Sequence, residues 1–582
     1  MKKFTADFET NVDELDCRVW AYAICEIGNT DNFIYGNNIE DFIKFCANKN
    51  ENYILYFHNL KFDGEYIFYY LLKNGYEYIK DKKERRDKTF TCLISDMGQF
   101  YSIEIFFDVK SKNHINKVTI YDSLKILNMS VDDVAKGFDL PIRKLNIDYK
   151  EFREVGHILT DEEIDYIRND VEIMALALEI MFKENLTKMT IGSNALNNYR
   201  SMLKNFIKYY PELPFEIDQD IRQSYKGGFT YLNPIYKDKI VNNGIVLDVN
   251  SLYPSVMKNE LLPIGEPMYF EGKYESDKLY PLYVQMISCS FKIKKGMIPT
   301  IQIKNSMFFM SNEYLESSNN DIVTLTLTNI DLELFFKHYE VEELTYHSGW
   351  KFKAQSGLFN TYINYWSDKK IQSKKDGNKA LYKISKLMLN SLYGKFAKNP
   401  VTRSKYPYLE DDVVKYKCHE AEISKSLYIP TGTFITSYAR RKTIETSQLI
   451  RDYTLNKYGI DYYIYSDTDS IHMLELEENE LKKFIDIDDY ILGFWKLESK
   501  FKRGKFIRQK CYIEESYEDK VNVIVAGLPK KLGKYINFDN FKEGFNILAD
   551  DKDKDHKLKF KHVKGGVLLV DTDFTIKEIK KK

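Results

Sequence analysis

The sequence predicts a multidomain protein of mixed class, part α/β and part α+β. Three observations carry this expectation. A chain of 582 residues exceeds what one core can organise, so about three to five domains are expected. An apolar fraction of 44% beside 29% charged residues is that of a globular chain with ample core. Short β-rich runs ending in acidic residues occur in both the N-terminal third and the C-terminal half, separated by helical patterns.

The first of these runs is Phe4-Thr-Ala-Asp7-Phe-Glu9-Thr10, a strand whose two-residue period puts Asp7 and Glu9 on one face. A second strand, beginning at Tyr53, is expected to end in a turn carrying Asp63. Tyr166-Ile-Arg-Asn-Asp170 falls in an amphipathic helix reaching about Phe182, with Thr160-Asp-Glu-Glu as its cap signal. Tyr166 and Asp170 are four apart and share a face. Four carboxylates from three segments suit two divalent cations, with a phenol to orient water, an arrangement for hydrolysing a phosphodiester. Phe62 beside Asn59 offers a ring for an unpaired base.

The second constellation joins distant segments. Gly244-Ile-Val-Leu leads into Asp248-Val-Asn-Ser-Leu-Tyr-Pro254, and Tyr462-Tyr-Ile-Tyr into Ser466-Asp467-Thr-Asp469. Read as extended chain, Asp467 and Asp469 face the same way, and Asp248 from the other strand would complete three acids. Hard oxygen ligands select Mg²⁺, or Mn²⁺, and two ions per site are the usual device for phosphoryl transfer. A lone Asp-Thr-Asp is more often a capped turn; the second, differently patterned acidic set changes that balance. Tyr253, in the turn before Pro254, is placed to lie under an incoming sugar. Lys379, Lys383, Lys386, Asn390 and Tyr393 recur at three and four residues and form one helical stripe.

The bulk numbers exclude other classes. The net charge of −1 hides segregated basic stretches, Lys369 to Lys386 and Lys500 to Lys510, able to build a positive channel. Seven scattered cysteines without a Cys-x-x-Cys pair read as free thiols. No apolar run has the length of a membrane span, and the start lacks a signal-peptide core, so no membrane partner is expected. Gly527…Gly533-Lys534-Tyr535 has the wrong spacing for a P-loop.

The combined motifs resemble those of a DEDD-type proofreading exonuclease joined to a family B DNA polymerase, and more closely the protein-primed polymerases of the phi-29 phage group. The likeness rests on Tyr56-Phe-His-Asn-Leu-Lys-Phe-Asp-Gly64, Tyr225-Lys-Gly-Gly-Phe229, Asp248 to Pro254, Ile298-Pro-Thr-Ile-Gln-Ile-Lys304, Lys386 to Phe396, Tyr465 to Ser470 and Gly565 to Asp571. It implies an RNase H-like exonuclease at 1–190 and a right-hand polymerase. The palm would be split over 191–259 and 428–528, with fingers at 361–397 and a thumb at 529–582. Insertions at 260–360 and 398–427 would serve terminal-protein contact, and processivity with strand displacement.

The resemblance also implies residue roles. Asp248, the Val249 carbonyl and Asp469 would hold the polymerase cations, with Asp467 in support. Ser251, Leu252, Tyr253, Lys370, Lys386, Asn390 and Tyr393 would form the deoxynucleotide pocket, Lys386 aiding the leaving pyrophosphate. Asp7, Glu9, Asp63 and Asp170 would hold the editing cations, Tyr166 the water, and Lys144 the scissile phosphate. Thr10, Asn59, Phe62, Ser123 and Leu124 would hold the frayed strand. Tyr225, Gly227, Gly228, Thr436, Arg440, Lys510 and Tyr512 would contact primer–template. The implied partners are DNA, dNTPs and a terminal protein bound as primer in a heterodimer, the polymerase itself being monomeric. The implied setting is the cytoplasm of a phage-infected bacterium. The family's Lys-x-Tyr motif, often with central Thr, reads Lys510-Cys511-Tyr512 here. The segment between Trp366 and Lys386 is also a few residues longer. The rival readings are an initiation protein with relic acids, a nuclease with a DNA-binding C-terminal part, and an RNA-synthesising or RNA-templated polymerase.

Overall fold

A computed structural model describes residues 1–111, 114–148, 151–303, 310, 313–551 and 553–578. Lys304, the last residue of one motif run, lies outside them. Two large sheets organise the chain. The N-terminal one has ten strands, and at its centre Lys3–Thr10 pairs in parallel with Tyr53–Phe57 and antiparallel with Val19–Glu26. Tyr53–Phe57 in turn pairs in parallel with His114–Asp122. These central strands are apolar on both faces, as strands covered by helices must be.

Helix Asp161–Lys183 covers one face. Thr160 caps it in a reciprocal capping box with Glu163, one turn before Tyr166, as the cap signal predicts. Thr5 reaches across to donate to the Val171 carbonyl at 2.7 Å, locking helix to sheet. Asp63 departs from expectation. It sits in the first turn of helix Leu60–Lys73, not in a turn, because Asn59 takes a left-handed conformation and launches the helix directly from the strand.

The second sheet has seven strands, all antiparallel to their neighbours, and Ile240–Val249 lies at its middle. Trp495–Arg508 flanks it on one side and Ser470–Leu474 on the other. Behind the sheet runs the thirty-residue helix Ile429–Tyr458, opened by Pro430 and closed by Gly459 in the left-handed conformation. Segment 260–360 folds as a separate four-stranded sheet with its own apolar core around Phe291, Phe335 and Tyr339. Helices Asn360–Lys375 and Lys379–Ser391 pack as a pair above the second sheet's acidic end.

Two excursions return to the N-terminal unit. Strand Ser404–Glu410 joins the edge of the ten-stranded sheet beside Ser95, carrying Val413–Cys418 with it. The hairpin of Lys557–Val563 and Gly566–Thr572 packs on helix Leu60–Lys73, where Tyr66 donates to the Val567 carbonyl at 2.6 Å. At the junction lies Glu65, 1% exposed. It accepts from the Tyr416 hydroxyl at 2.7 Å and meets His562 at 3.1 Å. All seven cysteines are free, and no described helix is long and apolar enough to cross a membrane.

Candidate active sites

The N-terminal sheet and its helices gather Asp7, Glu9, Asp63 and Asp170 in one cluster, with Asp63 and Asp170 buried and Asp7 and Glu9 half-buried. The Phe8 N–H donates to Asp63 at 3.3 Å, fixing helix to strand. Burial, then the charge of Asp170, pushes Asp7 up to about 7. Burial and neighbouring acids hold Glu9 and Asp63 well above the usual carboxylate range. Burial also raises Asp170, against the opposing pull of Lys144, with which it forms an ion pair. Asp170 Oδ1 is buried with no hydrogen-bond partner. Tyr166 is pushed up by burial and by the charges of Glu9, Asp170 and Asp7, and hydrogen-bonds Glu9.

Crowded anions with an orphaned oxygen and only hard donors are the chemistry of a divalent-cation site. As they stand, no three acidic, imidazole or thiol side chains among the described residues are drawn in to ion-gripping spacing. The donor set fits Mg²⁺ or Mn²⁺ in kind.

The strand-holding residues divide. Asn59 is exposed and Leu124 half-buried at the rim, and Phe62 lies between Tyr66 and Phe560 of the C-terminal hairpin. Ser123 and Thr10 depart from expectation, because both side chains turn inward. Ser123 donates to the Phe57 carbonyl at 3.0 Å, and Thr10 hydrogen-bonds Tyr66. Both hydroxyls brace the sheet from within.

In the second sheet, the Val249 N–H donates to the Asp469 carbonyl at 2.8 Å, bringing the two distant segments together. The expectation of an extended Asp467-Thr-Asp469 is overturned. Thr468 has φ +62°, and the Asp469 N–H folds back onto the Asp467 carbonyl at 2.8 Å. The two carboxylates therefore serve different neighbours. Asp469 is raised to about 6 by burial first and then by Asp248, with Asp467 and Glu498 adding repulsion. Asp467 accepts from Thr230 at 3.2 Å and pairs with Lys510 at 3.7 Å.

Ser251 takes a left-handed conformation and starts helix Leu252–Asn259. Tyr253 thus stands in a helical first turn, where the sequence suggested only a turn. Its ring stacks on Tyr393 at 3.9 Å, with Tyr225 alongside. Above them Lys370 is pushed down by burial and then by Lys386, Lys496 and Lys374, so these ammonium groups converge. Asn390 is exposed on helix Lys379–Ser391, which also carries Lys386. Lys379 points elsewhere, to Asp139 at 3.0 Å. Sequence reasoning missed Lys496 and Glu498. Their placement follows from a register shift between Val246 and Leu247, which no spacing announces.

Thr436 and Arg440 also depart from expectation. Thr436 is buried and bonds within its own helix. Arg440, 3% exposed, pairs with Asp331 of the 260–360 segment at 2.5 Å. It also donates to the carbonyls of Lys226 and Gly227 at 2.6 and 2.8 Å. Its guanidinium holds the Tyr225-Lys-Gly-Gly loop to the 260–360 segment. Gly227 is exposed and open, but a Cβ on Gly228 would lie 2.5 Å from Thr468 Oγ1. The close approach at Gly228 is to the turn at Thr468. Lys510, at φ +53°, caps a hairpin whose next strand holds Tyr512 against Phe506.

Two separate acidic centres, one facing converging lysines and the other a half-buried phenol, define a nucleotidyl transferase that also carries a nuclease fold. The chain belongs to the DNA polymerases of type B, organellar and viral, whose family model matches residues 46–487. It is 44% identical to the DNA polymerase of Bacillus phage M2 over 99% of this chain and 100% of that protein. It is 43% identical to that of Bacillus phage phi29, with 99% of each covered. It superimposes on phi29 DNA polymerase complexed with primer-template DNA and incoming nucleotides with a TM-score of 0.91, at 42% identity, covering 99% of this chain and 100% of that one. It is a DNA-directed DNA polymerase of mixed α and β architecture, with exonuclease and polymerase parts.

Proposed function

We propose that this polymerase extends a primer at the Asp248–Asp469 centre and edits it at the Asp7–Glu9–Asp63–Asp170 centre. Asp248, the Val249 carbonyl and Asp469 would hold divalent cations, Mg²⁺ first, with Asp467 in support. The ions, when bound, supply charge neutralisation and Lewis acidity at the reacting phosphate. Tyr253 and Tyr393 form a stacked floor that excludes a 2′-hydroxyl. Lys370 and Lys386 take the triphosphate, and Lys386 donates a proton toward the leaving pyrophosphate. In the editing centre, Tyr166 orients the attacking water, while Lys144 faces the scissile phosphate.

The domain reading follows: exonuclease 1–190, palm 191–259 and 428–528, fingers 361–397 and thumb 529–582. The 260–360 insertion would receive a terminal protein that primes synthesis. The 398–427 insertion, joined to the exonuclease edge, would enclose the DNA. The relatives being Bacillus phage polymerases supports a phage-encoded enzyme working in a bacterial cytoplasm.

The meeting of Asp248 and Asp469 at one end of the second sheet, through the 2.8 Å Val249–Asp469 backbone bond, is the observation that carries this reading. Its test is extension of a labelled primer on a circular template with Mg²⁺, with and without nucleotides. Asp248→Asn should stop synthesis and spare degradation. Asp7→Ala with Asp63→Ala should do the reverse, and a variant pair that loses both activities together would contradict two independent centres.

A further inference from the structure

Lys496 has no role in the reading above, yet it stands at its centre. It lies directly opposite Asp248 in the pairing of Trp495–Arg508 with Ile240–Val249, and opposed residues project to the same face. Its ammonium is 3.2 Å from Asp248 Oδ1, and its side chain is 33% exposed. The charges bearing on Lys370 include Lys496 along with Lys386 and Lys374, so the four ammonium groups share one region. Lys370 and Lys386 make no ion pair among the described residues. Lys370, held down by burial and then by these three charges, is a cation that an entering polyanion would relieve.

We propose that Lys496 is a further phosphate-binding residue of the polymerase centre, held on Asp248 between turnovers and passed to the nucleotide's triphosphate as it enters. The proposal rests on the assignment of Asp248 and the fingers lysines to that centre. Pairing with Asp248 gives the lysine a defined resting place and keeps one palm carboxylate compensated. The arriving β- and γ-phosphates offer a denser anion, and a flexible four-carbon stem permits the transfer. A plain structural counter-ion would instead stay on Asp248 and be indifferent to phosphate.

The experiment uses the full chain on a primer–template ending in a dideoxynucleotide, with Ca²⁺ in place of Mg²⁺. Binding of the next complementary dNTP, and its displacement by inorganic pyrophosphate, are read by retention of the ternary complex. Lys496→Met should weaken both dNTP and pyrophosphate binding by about tenfold, and Lys496→Arg should restore most of each. Unchanged exonuclease activity in both variants would show that they fold. Lys386→Ala, run in parallel, separates the two layers of the argument. If it weakens dNTP binding while Lys496→Met leaves dNTP and pyrophosphate affinities within twofold of wild type, the role of Lys496 is overturned. If neither variant alters nucleotide binding, the assignment of the fingers lysines falls, and this proposal with it.

Discussion

The editing cluster makes an unusual stability prediction: removing an acid should strengthen the metal-free protein. Asp7 binds its proton more tightly folded, near pH 7, than unfolded, near 3.8. Below about pH 4 both states are protonated, and the residue does not affect folding. Between about pH 4 and pH 7 the unfolded chain ionises while the folded one resists, so stability falls as pH rises. Above pH 7 the loss is complete. Three pH units at about 1.4 kcal/mol each give about 4 kcal/mol, with the attraction of Lys144 already included in that shift. Asp7→Asn should therefore stabilise the protein in EDTA by up to about 4 kcal/mol at about pH 8, and by much less at about pH 5. Urea unfolding followed by near-ultraviolet circular dichroism measures both. Mg²⁺ should stabilise the wild type at about pH 8 and the variant far less. An asparagine variant no more stable than wild type at the higher pH, or equally stabilised at both, would refute the burial and the acidic repulsion that raise Asp7.

Three further outcomes follow from the polymerase centre. Arg440→Met should cost about 3–5 kcal/mol by stranding the buried Asp331, and adding Asp331→Leu should recover most of it in thermal unfolding; equal losses in the single and double variants would contradict the pairing. Gly228→Ala should slow single-turnover incorporation by pressing on Thr468, and Thr468→Ala should restore part of the rate, while exonuclease activity stays constant throughout. Tyr253→Val should raise the ribonucleotide-to-deoxyribonucleotide ratio of kcat/KM by at least about tenfold, the low end of what one small group is worth to a tight pocket; an unchanged ratio would remove the tyrosine as a gate.

Much of this architecture was legible residue by residue where the signal is local. The Thr160–Glu163 capping box announced its helix, and the period of two placed Asp7 and Glu9 together on their strand. The misses are of another kind. Asp63 looked like a turn residue because Asn59, which starts the helix, does so by a left-handed backbone that asparagine tolerates but does not advertise. Asp467 and Asp469 diverge through the same device at Thr468, a residue for which positive φ is uncommon. The burial of Arg440 is invisible to spacing because its partner Asp331 is 109 residues away in an otherwise opaque insertion. Lys496 depends on a bulge in strand register. Long-range pairing decides each of these, and single-sequence spacing does not encode it.

The attachment of the editing unit has a consequence for how such an enzyme can change. Its sheet is finished by a strand from residue 404 onward, and its helix Leu60–Lys73 is the seat of the C-terminal hairpin. Gly565 and Gly566 sit so tightly against the Cys17 carbonyl and the Tyr66 ring that no side chain fits there. An editor bound in this manner is not a cassette. Deleting it would bare a sheet edge and orphan the far end of the chain. A lineage abandoning proofreading would therefore retain the whole scaffold and surrender only its acids.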